Sequence, residues 1–270
     1  MIPLDAQTLR DIAPRFSGAQ QTEQRRLTDA IGPLLTAKLD RYAINTRLRI
    51  VNFLGQTCEE SAGFRTLEEF ASGDAYEGRK DLGNTQQGDG RRFKGRGLIQ
   101  ITGRDNYARI GEMIGLDLVN QPELAASPPN ALVIACEYWK AHDLNVAADR
   151  DDLLSITRSI NGGTNGVADR RTYTAAAKAV IARTEALMLH GVQGNTPGTD
   201  RPVLHRGSQG PYVEQLQNKL LDHGYKLAID GEFGPATEKV VETFQTAAFP
   251  GQPEQIDGIV GCETWAMLDT

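Results

Sequence analysis

From Leu48 to Cys58, the residues Leu48, Val51, Gly55 and Cys58 recur at helical spacing, and Ile50, Phe53 and Leu54 widen the stripe. So broad an apolar stripe belongs to a buried helix, and the rest of the domain must be built around it. The spacing predicts a helix from about Thr46 to Ala62 that stops near Gly63, where a residue lacking Cβ takes the left-handed turn. Two carboxylates, Glu59 and Glu60, sit just before that stop. Consecutive helical positions point about 100° apart, so only one of the two faces a given cleft. The carbonyl end of a helix disfavours negative charge, as does a like-charged neighbour, so a raised carboxyl is expected on one or other of the pair. A carboxyl group that keeps its proton near neutrality is what a general acid requires. Taken alone, the pair reads first as a solvated acidic helix end, and the rest of the chain reverses that reading.

Upstream, residues 4–45 read as helical scaffold, with Leu9, Ile12, Leu27, Ile31, Leu35 and Leu39 in register and breaks expected near Pro14, Gly18 and Pro33. Residues 64–95 are different: glycines at 73, 78, 83, 88, 90 and 95, many charges and little periodicity. A long loop of that kind is functional or mobile, and it carries Glu68, Glu69, Glu77, Asp81 and Asp89. Gly97–Thr102 reads as a short strand or a buried turn; as a strand it puts Gln100 and Thr102 on one face and Ile99 and Ile101 on the other. Gly95-Arg96-Gly97 is no phosphate loop, because no Gly-Lys-Ser/Thr follows. Helices are predicted over 107–114, 131–142 and 152–160, the last ending at Asn161-Gly162-Gly163, where Asn161 is a turn former or an amide presented to a ligand. A final helix from 166–170 to about His190 carries Arg170 and Arg171 in its first turn; two cations there oppose the macrodipole and imply a nearby carboxylate.

Residues 191–203 are rich in Gly, Pro and Thr and read as a linker. Beyond them, Val213, Leu216, Gln217, Leu220 and Leu221 define an amphipathic helix. An internal echo comes next: Asp230-Gly231 with Gly234 and Thr237 recurs as Asp257-Gly258 with Gly261 and Thr264. Each unit makes a turn that launches a helix, which gives a small three-helix module; the spacing does not fit an EF-hand loop. In their turns Asp230 and Asp257 read as turn formers, and Trp139 and Trp265 as core.

Charge narrows the function classes. Residues 191–270 hold five basic against eleven acidic side chains, which accounts for the whole net charge of −6 and leaves residues 1–190 neutral. Neither part has the basic footprint of a nucleic-acid binder. No apolar run approaches a membrane span and no basic-then-apolar leader precedes Pro3, so a role outside the cytoplasm needs a separate agent of release. Cys58, Cys136 and Cys262 are widely spaced and odd in number, the four histidines form no cluster, and neither a metal nor a cofactor is expected. Cys58 has no histidine in its motif to act as base and is set aside as a nucleophile.

Together, the stretches Phe53–Phe64 (FLGQTCEESAGF), Gly95–Tyr107 (GRGLIQITGRDNY), Ser159–Gly163 (SINGG) and Val167–Arg170 (VADR) resemble glycoside hydrolase family 19, the chitinase-like family whose bacterial and phage branch includes wall-lysing endolysins. The tail, with LHRGSQGPYVEQLQ, the two Asp-Gly units and Gly261–Trp265, resembles a peptidoglycan-binding domain of the three-helix type. The resemblance implies a mainly α chain: a lysozyme-like α+β catalytic domain with a minor β element over 1–190, the linker over 191–203, and the binding domain over 204–270 with Asp230, Phe233, Asp257 and Trp265 as its family positions. It further implies Glu60 as general acid, Glu69 as general base with Glu68 and Glu77 as rivals, Thr102 as the hydroxyl that positions water, and Gln100, Asn106 and Asn161 as substrate contacts. Arg170 falls on an arginine that organises the catalytic carboxylates, here expected beside the base. Glu59 stands where the family commonly has histidine.

In function, the resemblance implies an endolysin that cleaves β-1,4 bonds of peptidoglycan by inverting acid/base catalysis. It would be monomeric and cofactor-free, with no nucleic-acid partner and no stable membrane insertion, made in the host cytoplasm and reaching the wall through a holin pore. The alternatives are a chitinase, a type VI wall-degrading effector, a lytic transglycosylase and a non-catalytic wall-binding protein.

Overall fold

The computed structural model describes residues 2–193 and 201–270, and the chain divides into two compact units, Met1–Ile181 and Ala182–Thr270. The expected linker over 191–203 falls mainly on residues outside the described ones, while 191–193 complete a helix.

The first unit opens with α1 (Ala6–Ile12), whose Asp5 cap accepts from the Thr8 N–H, and α2 (Gly18–Arg41). The breaks expected at Pro14 and Gly18 separate these two helices, but Pro33 lies inside an unbroken α2. A proline there removes one intrahelical hydrogen bond. Burial of Ile31, Leu35 and Leu39 on the same helix holds the segment helical. The predicted central helix is α3 (Arg47–Glu60), capped by Thr46 Oγ1, and every residue from Ile50 to Cys58 is buried. Phe53 meets Trp139 edge to face, ring centroids 5.3 Å apart, at the centre of the core. Truncation of so buried an aromatic costs about 3–5 kcal/mol.

Past α3 the chain reverses through three consecutive left-handed residues, Ala62 (φ 51°), Gly63 (φ 79°) and Phe64 (φ 57°). Only the glycine adopts that conformation without cost, so tertiary contacts must hold the other two. The Gly63 N–H donates to Cys58 O at 2.7 Å, and buried Gln24 donates to Gly63 O at 2.8 Å and Pro14 O at 3.1 Å.

The loop 64–95 is built from polar ties around two 3-10 turns (Asp74–Tyr76 and Lys80–Leu82) and the short α4 (Asp89–Arg92). Both oxygens of Glu77 accept backbone N–H groups, of Gly88 at 2.7 Å and of Gly90 at 2.8 Å. Asp89, 1% exposed, takes a two-pronged contact from Arg104. The segment expected as strand or turn at 97–102 is a turn: Arg96 and Ile101 form an isolated bridge around it, and Gln100 is left-handed (φ 51°). Leu98, Ile99 and Ile101 are all buried, so two-face alternation does not apply. The minor β element amounts, among the described residues, to isolated bridges. α5 (Arg104–Ile114), α6 (Pro128–Ala141), α7 (Leu144–Ala148), α8 (Leu153–Asn161) and α9 (Val167–Gln193) complete the helices. Cys58 and Cys136 are free and buried.

In the second unit α10 (Pro211–Asp222), α11 (Pro235–Ala248) and α12 (Cys262–Leu268) close on Leu204, Val213, Leu216, Leu220, Phe233, Val241, Val260 and Trp265. Its two halves use one construction. Gln217 Nε2 donates to Asp230 Oδ1 (2.7 Å) and Thr237 Oγ1 (3.3 Å) while its Oε1 accepts the Gly231 N–H (3.0 Å). Gln245 repeats this with Asp257 (2.9 Å), Thr264 (3.3 Å) and the Gly258 N–H (2.9 Å). The Asp-Gly units are thus clasped by a glutamine from the preceding helix. Phe233 and Trp265, each 1% exposed, are core, and Asp230 and Asp257 serve the clasps. Phe233 and Trp265 thus build the framework of the module, while Asp230, exposed, and Asp257, half-buried, brace its two turns.

Candidate active site

Glu60 ends α3, and its Oε1 accepts from Arg170 Nη2 at 2.5 Å. Arg170, in the first turn of α9, is 3% exposed; its Nη1 donates to Gln56 Oε1 at 2.5 Å and its Nε to Asn165 O at 3.4 Å. Gln56 in turn donates to Thr157 Oγ1 on α8 at 3.2 Å. The carboxylate that the two N-terminal arginines of α9 imply is therefore Glu60, and the expected placement of Arg170 beside Glu69 is corrected. One guanidinium, directly and through Gln56, ties α9 and α8 to the end of α3, and its burial makes it a positioning group in place of a substrate contact. Glu59, on the adjacent position, has its carboxyl raised above the ordinary range, chiefly by burial; Arg170 opposes this, and Asp169 and Glu60 add to it.

Glu69 is placed by a short antiparallel pairing of 67–69 with 95–97: its N–H donates to Gly95 O at 3.0 Å, and the Gly97 N–H to Leu67 O at 2.8 Å. Its Oε2 accepts the Tyr76 hydroxyl at 3.0 Å, while its Oε1 is buried without a hydrogen-bond donor. An unsatisfied buried carboxylate oxygen is costly, and it is also ready to accept a proton. Gly95 makes room here, since a Cβ at that position would lie 2.8 Å from Gln100 Oε1 and 3.3 Å from Glu69 Oε2. The rivals are otherwise engaged. Glu68 is paired with Lys94 and Arg96, both at 3.1 Å; burial pushes its carboxyl up, but those two cations together bring it below the ordinary range. Glu77 holds the backbone of 88–90.

Thr102 Oγ1 donates to Gln100 O at 3.1 Å, and Asn106 Nδ2 to Thr102 O at 2.8 Å. Arg109 donates to Asn106 Oδ1 at 3.0 Å. The Tyr138 hydroxyl donates to Ser159 O on α8 at 2.8 Å, and burial raises it, with opposing influences from Arg109 and from Glu60. Asn161 folds its own loop, donating to Asn165 O at 2.9 Å and accepting the Gly163 N–H at 3.0 Å. Cys58 is inert, its thiol pushed up by burial and then by Glu59. Among the described residues no group of His, Cys, Asp and Glu could hold a metal, and no helix is long and apolar enough to cross a membrane.

Gln56, which bonds Arg170, and Tyr76, which bonds Glu69, escape sequence reasoning. Gln56 had one available signal, a polar residue inside an otherwise apolar stripe. Tyr76 had none, since it lies in an aperiodic loop.

Comparison with known proteins agrees with this architecture. Residues 209–268 match the profile of a peptidoglycan binding domain. A glycosyl hydrolase family 19 domain-containing protein of Haemophilus influenzae is 41% identical over 96 residues, 35% of this chain and 46% of that protein. Acidic endochitinase Q of Nicotiana tabacum is 34% identical over 110 residues, 40% of this chain and 41% of that one. The chain thus spans less than half the length of these relatives. The crystal structure of a chitinase C mutant superposes with a TM-score of 0.51 at 18% identity, covering 67% of this chain and 93% of the other, a likeness of fold. Residues 36–172, slightly more than half of the chain, match the profile described as chitinase class I, and the chain belongs to that family, glycoside hydrolase family 19.

Proposed function

We propose that the protein hydrolyses β-1,4-glycosidic bonds of bacterial peptidoglycan strands, with Glu60 as general acid and Glu69 as general base. The observation that carries this reading is the contrast between the two carboxylates. Glu60 is fixed at a helix end by a buried arginine, whereas Glu69 has one oxygen held by Tyr76 and the other left without a donor. Inverting hydrolysis uses an acid at the leaving oxygen and a base that activates water on the opposite face of the sugar, about 6.5–9.5 Å apart. A helix end and a separate loop suit that division, and two neighbouring helical residues do not. Thr102, bonded to the Gln100 carbonyl, orients the water. Gln100, Asn106 and Asn161 supply amides for the N-acetyl and hydroxyl groups of the glycan. The peptidoglycan-binding module directs this chemistry to the wall. In this reading the protein is an endolysin that acts as a monomer, made in the host cytoplasm and admitted to the periplasm by a holin.

The second reading is a chitinase, favoured by relatives named as endochitinases. Digestion of purified sacculi, followed by reduction and mass spectrometry, separates the two. New reducing ends that vanish in Glu60→Gln are the expected result, and the sugar that carries them names the bond. Intact sacculi with cleaved chitin oligomers would replace this reading with the second, and anhydro-sugar ends that persist in Glu69→Gln would replace hydrolysis with transglycosylation.

A further inference from the structure

The segment that joins Glu60 to Glu69 is a tight polar turn: the Arg65 and Thr66 N–H groups donate to Ser61 O at 3.1 and 3.2 Å, and Thr66 Oγ1 donates to Glu68 O at 2.6 Å. On it stands a stack that neither carboxylate uses. Arg65 is half-buried, its Nε donates to Ala62 O at 3.2 Å, and its Cζ lies 5.2 Å from the ring centre of Phe16 and 5.3 Å from that of Phe70. Two rings this close hold a guanidinium by cation–π attraction and leave its edge free to donate. Arginine carries five N–H donors. Among the described residues the Ala62 carbonyl is their one protein acceptor, and no carboxylate pairs with the charge. The other cations near the two acids are already spent, Lys94 and Arg96 on Glu68 and Arg170 on Glu60. Phe70 is 76% exposed and follows Glu69 directly, so its Cα stands about 3.8 Å from that of the assigned base. The core therefore accounts for neither the unpaired cation nor the exposed ring that braces it.

A guanidinium braced on its neighbours with an open donor edge takes a carboxylate through two parallel N–H bonds. In peptidoglycan such carboxylates sit on the stem peptides that branch from alternate sugars, whereas chitin carries none. We propose that Arg65, braced by Phe16 and Phe70, binds a stem-peptide carboxylate beside the point of cleavage and so selects peptidoglycan over chitin. The proposal rests on the assignment of peptidoglycan as substrate and of Glu60 and Glu69 as acid and base.

The test compares soluble stem-bearing strands with the same strands stripped of their peptides by an amidase, which carry lactyl carboxylates only. In the full chain, Arg65→Met should lower kcat/KM on stem-bearing strands about tenfold, the low end for a charge-assisted hydrogen bond at a half-exposed site, and chiefly through KM. On stripped strands it should stay within about twofold of wild type. Phe70→Ala, at a position too exposed to endanger the fold, should act in the same direction by about threefold, as the brace is lost. Arg65→Lys should recover only part of the loss, since an ammonium lacks the planar fork. Equal losses on the two substrates, a loss confined to kcat, or wild-type kinetics in Arg65→Met would each overturn the proposal. A second measurement needs no turnover. In the full-length Glu60→Gln protein, the Arg65 Nε–H resonance, assigned by its absence from Arg65→Met, should shift on addition of a disaccharide-tetrapeptide and stay in place with the peptide-free disaccharide. A resonance that moves with neither, or equally with both, overturns the proposal. A wild type that cuts neither kind of strand refutes the assigned activity instead, and the resonance still decides the role of Arg65.

Discussion

Replacement of Arg170 by methionine tests the central claim that one buried guanidinium organises the α3 end of the site. The substitution retains a long apolar stem and removes the hydrogen bonds to Glu60, Gln56 and the Asn165 carbonyl. It leaves a carboxylate that is 14% exposed, and the Gln56 oxygen, without those donors. Loss of one partner of a buried ion pair costs about 3–5 kcal/mol; residual solvent at Glu60 and the added apolar volume bring this to about 2–4 kcal/mol. For a unit of this size that corresponds to a fall in midpoint of about 5–15 °C. The unit can be followed by tryptophan fluorescence in a Trp265→Phe background, where Trp139, fully buried in the first unit, is the remaining reporter. Glu60→Ala should cost less than Arg170→Met, since it leaves the Arg170 bonds to Gln56 and the Asn165 carbonyl in place. The double variant should show a coupling of about 2 kcal/mol. A midpoint within about 1 °C of wild type, or strict additivity in the cycle, would refute the clamp.

Glu69→Gln should lower hydrolysis by at least about 100-fold with little change in stability, because its Oε1 gives up no hydrogen bond; Glu77→Gln should chiefly lower the thermal midpoint, as its oxygens hold the backbone of 88–90. Equal activity losses in the two variants would refute the division of roles. The Asp89 carboxyl is held below the usual range by the Arg104 hydrogen bonds, which with the Gln86 N–H outweigh its burial. Its contribution is therefore complete above the unfolded value of about 3.9 and is lost as pH falls through the lower folded value. Urea midpoints of wild type and Asp89→Asn should differ at pH 6 and converge toward pH 2–3; a gap that stays constant would show that charge is irrelevant there. Gln245→Ala should lower the midpoint of the second unit by the equivalent of about 2–4 kcal/mol, since buried partners of the clasp are left unsatisfied. Trp265 fluorescence, followed in the full chain, reads that transition, and an unchanged midpoint would argue against the clasp.

Much of the scaffold is written in local pattern. The apolar spacing from Leu48 to Cys58, the Thr46 cap and Gly63 mark α3 to within a residue or two, because helical period, capping and left-handed turns depend on near neighbours. The same holds for the Asp-Gly units, whose turns each launch a helix. Local pattern narrows the acids only to Glu59 or Glu60 beside a helix stop and to the carboxylates of an aperiodic loop; the choice of Glu60 and Glu69 comes from the family resemblance. What sequence leaves open is partnership. Arg170 finds Glu60 across 110 residues, Gln56 finds both Arg170 and Thr157, and Glu69 is distinguished from Glu68 and Glu77 only because their oxygens are already occupied. Pro33 stays helical, and Gly97–Thr102 is a turn, because long-range burial outweighs local preference. Local geometry is fixed by the backbone and its neighbours, whereas the charge state and reach of a side chain depend on groups that only the folded chain brings within a few ångströms.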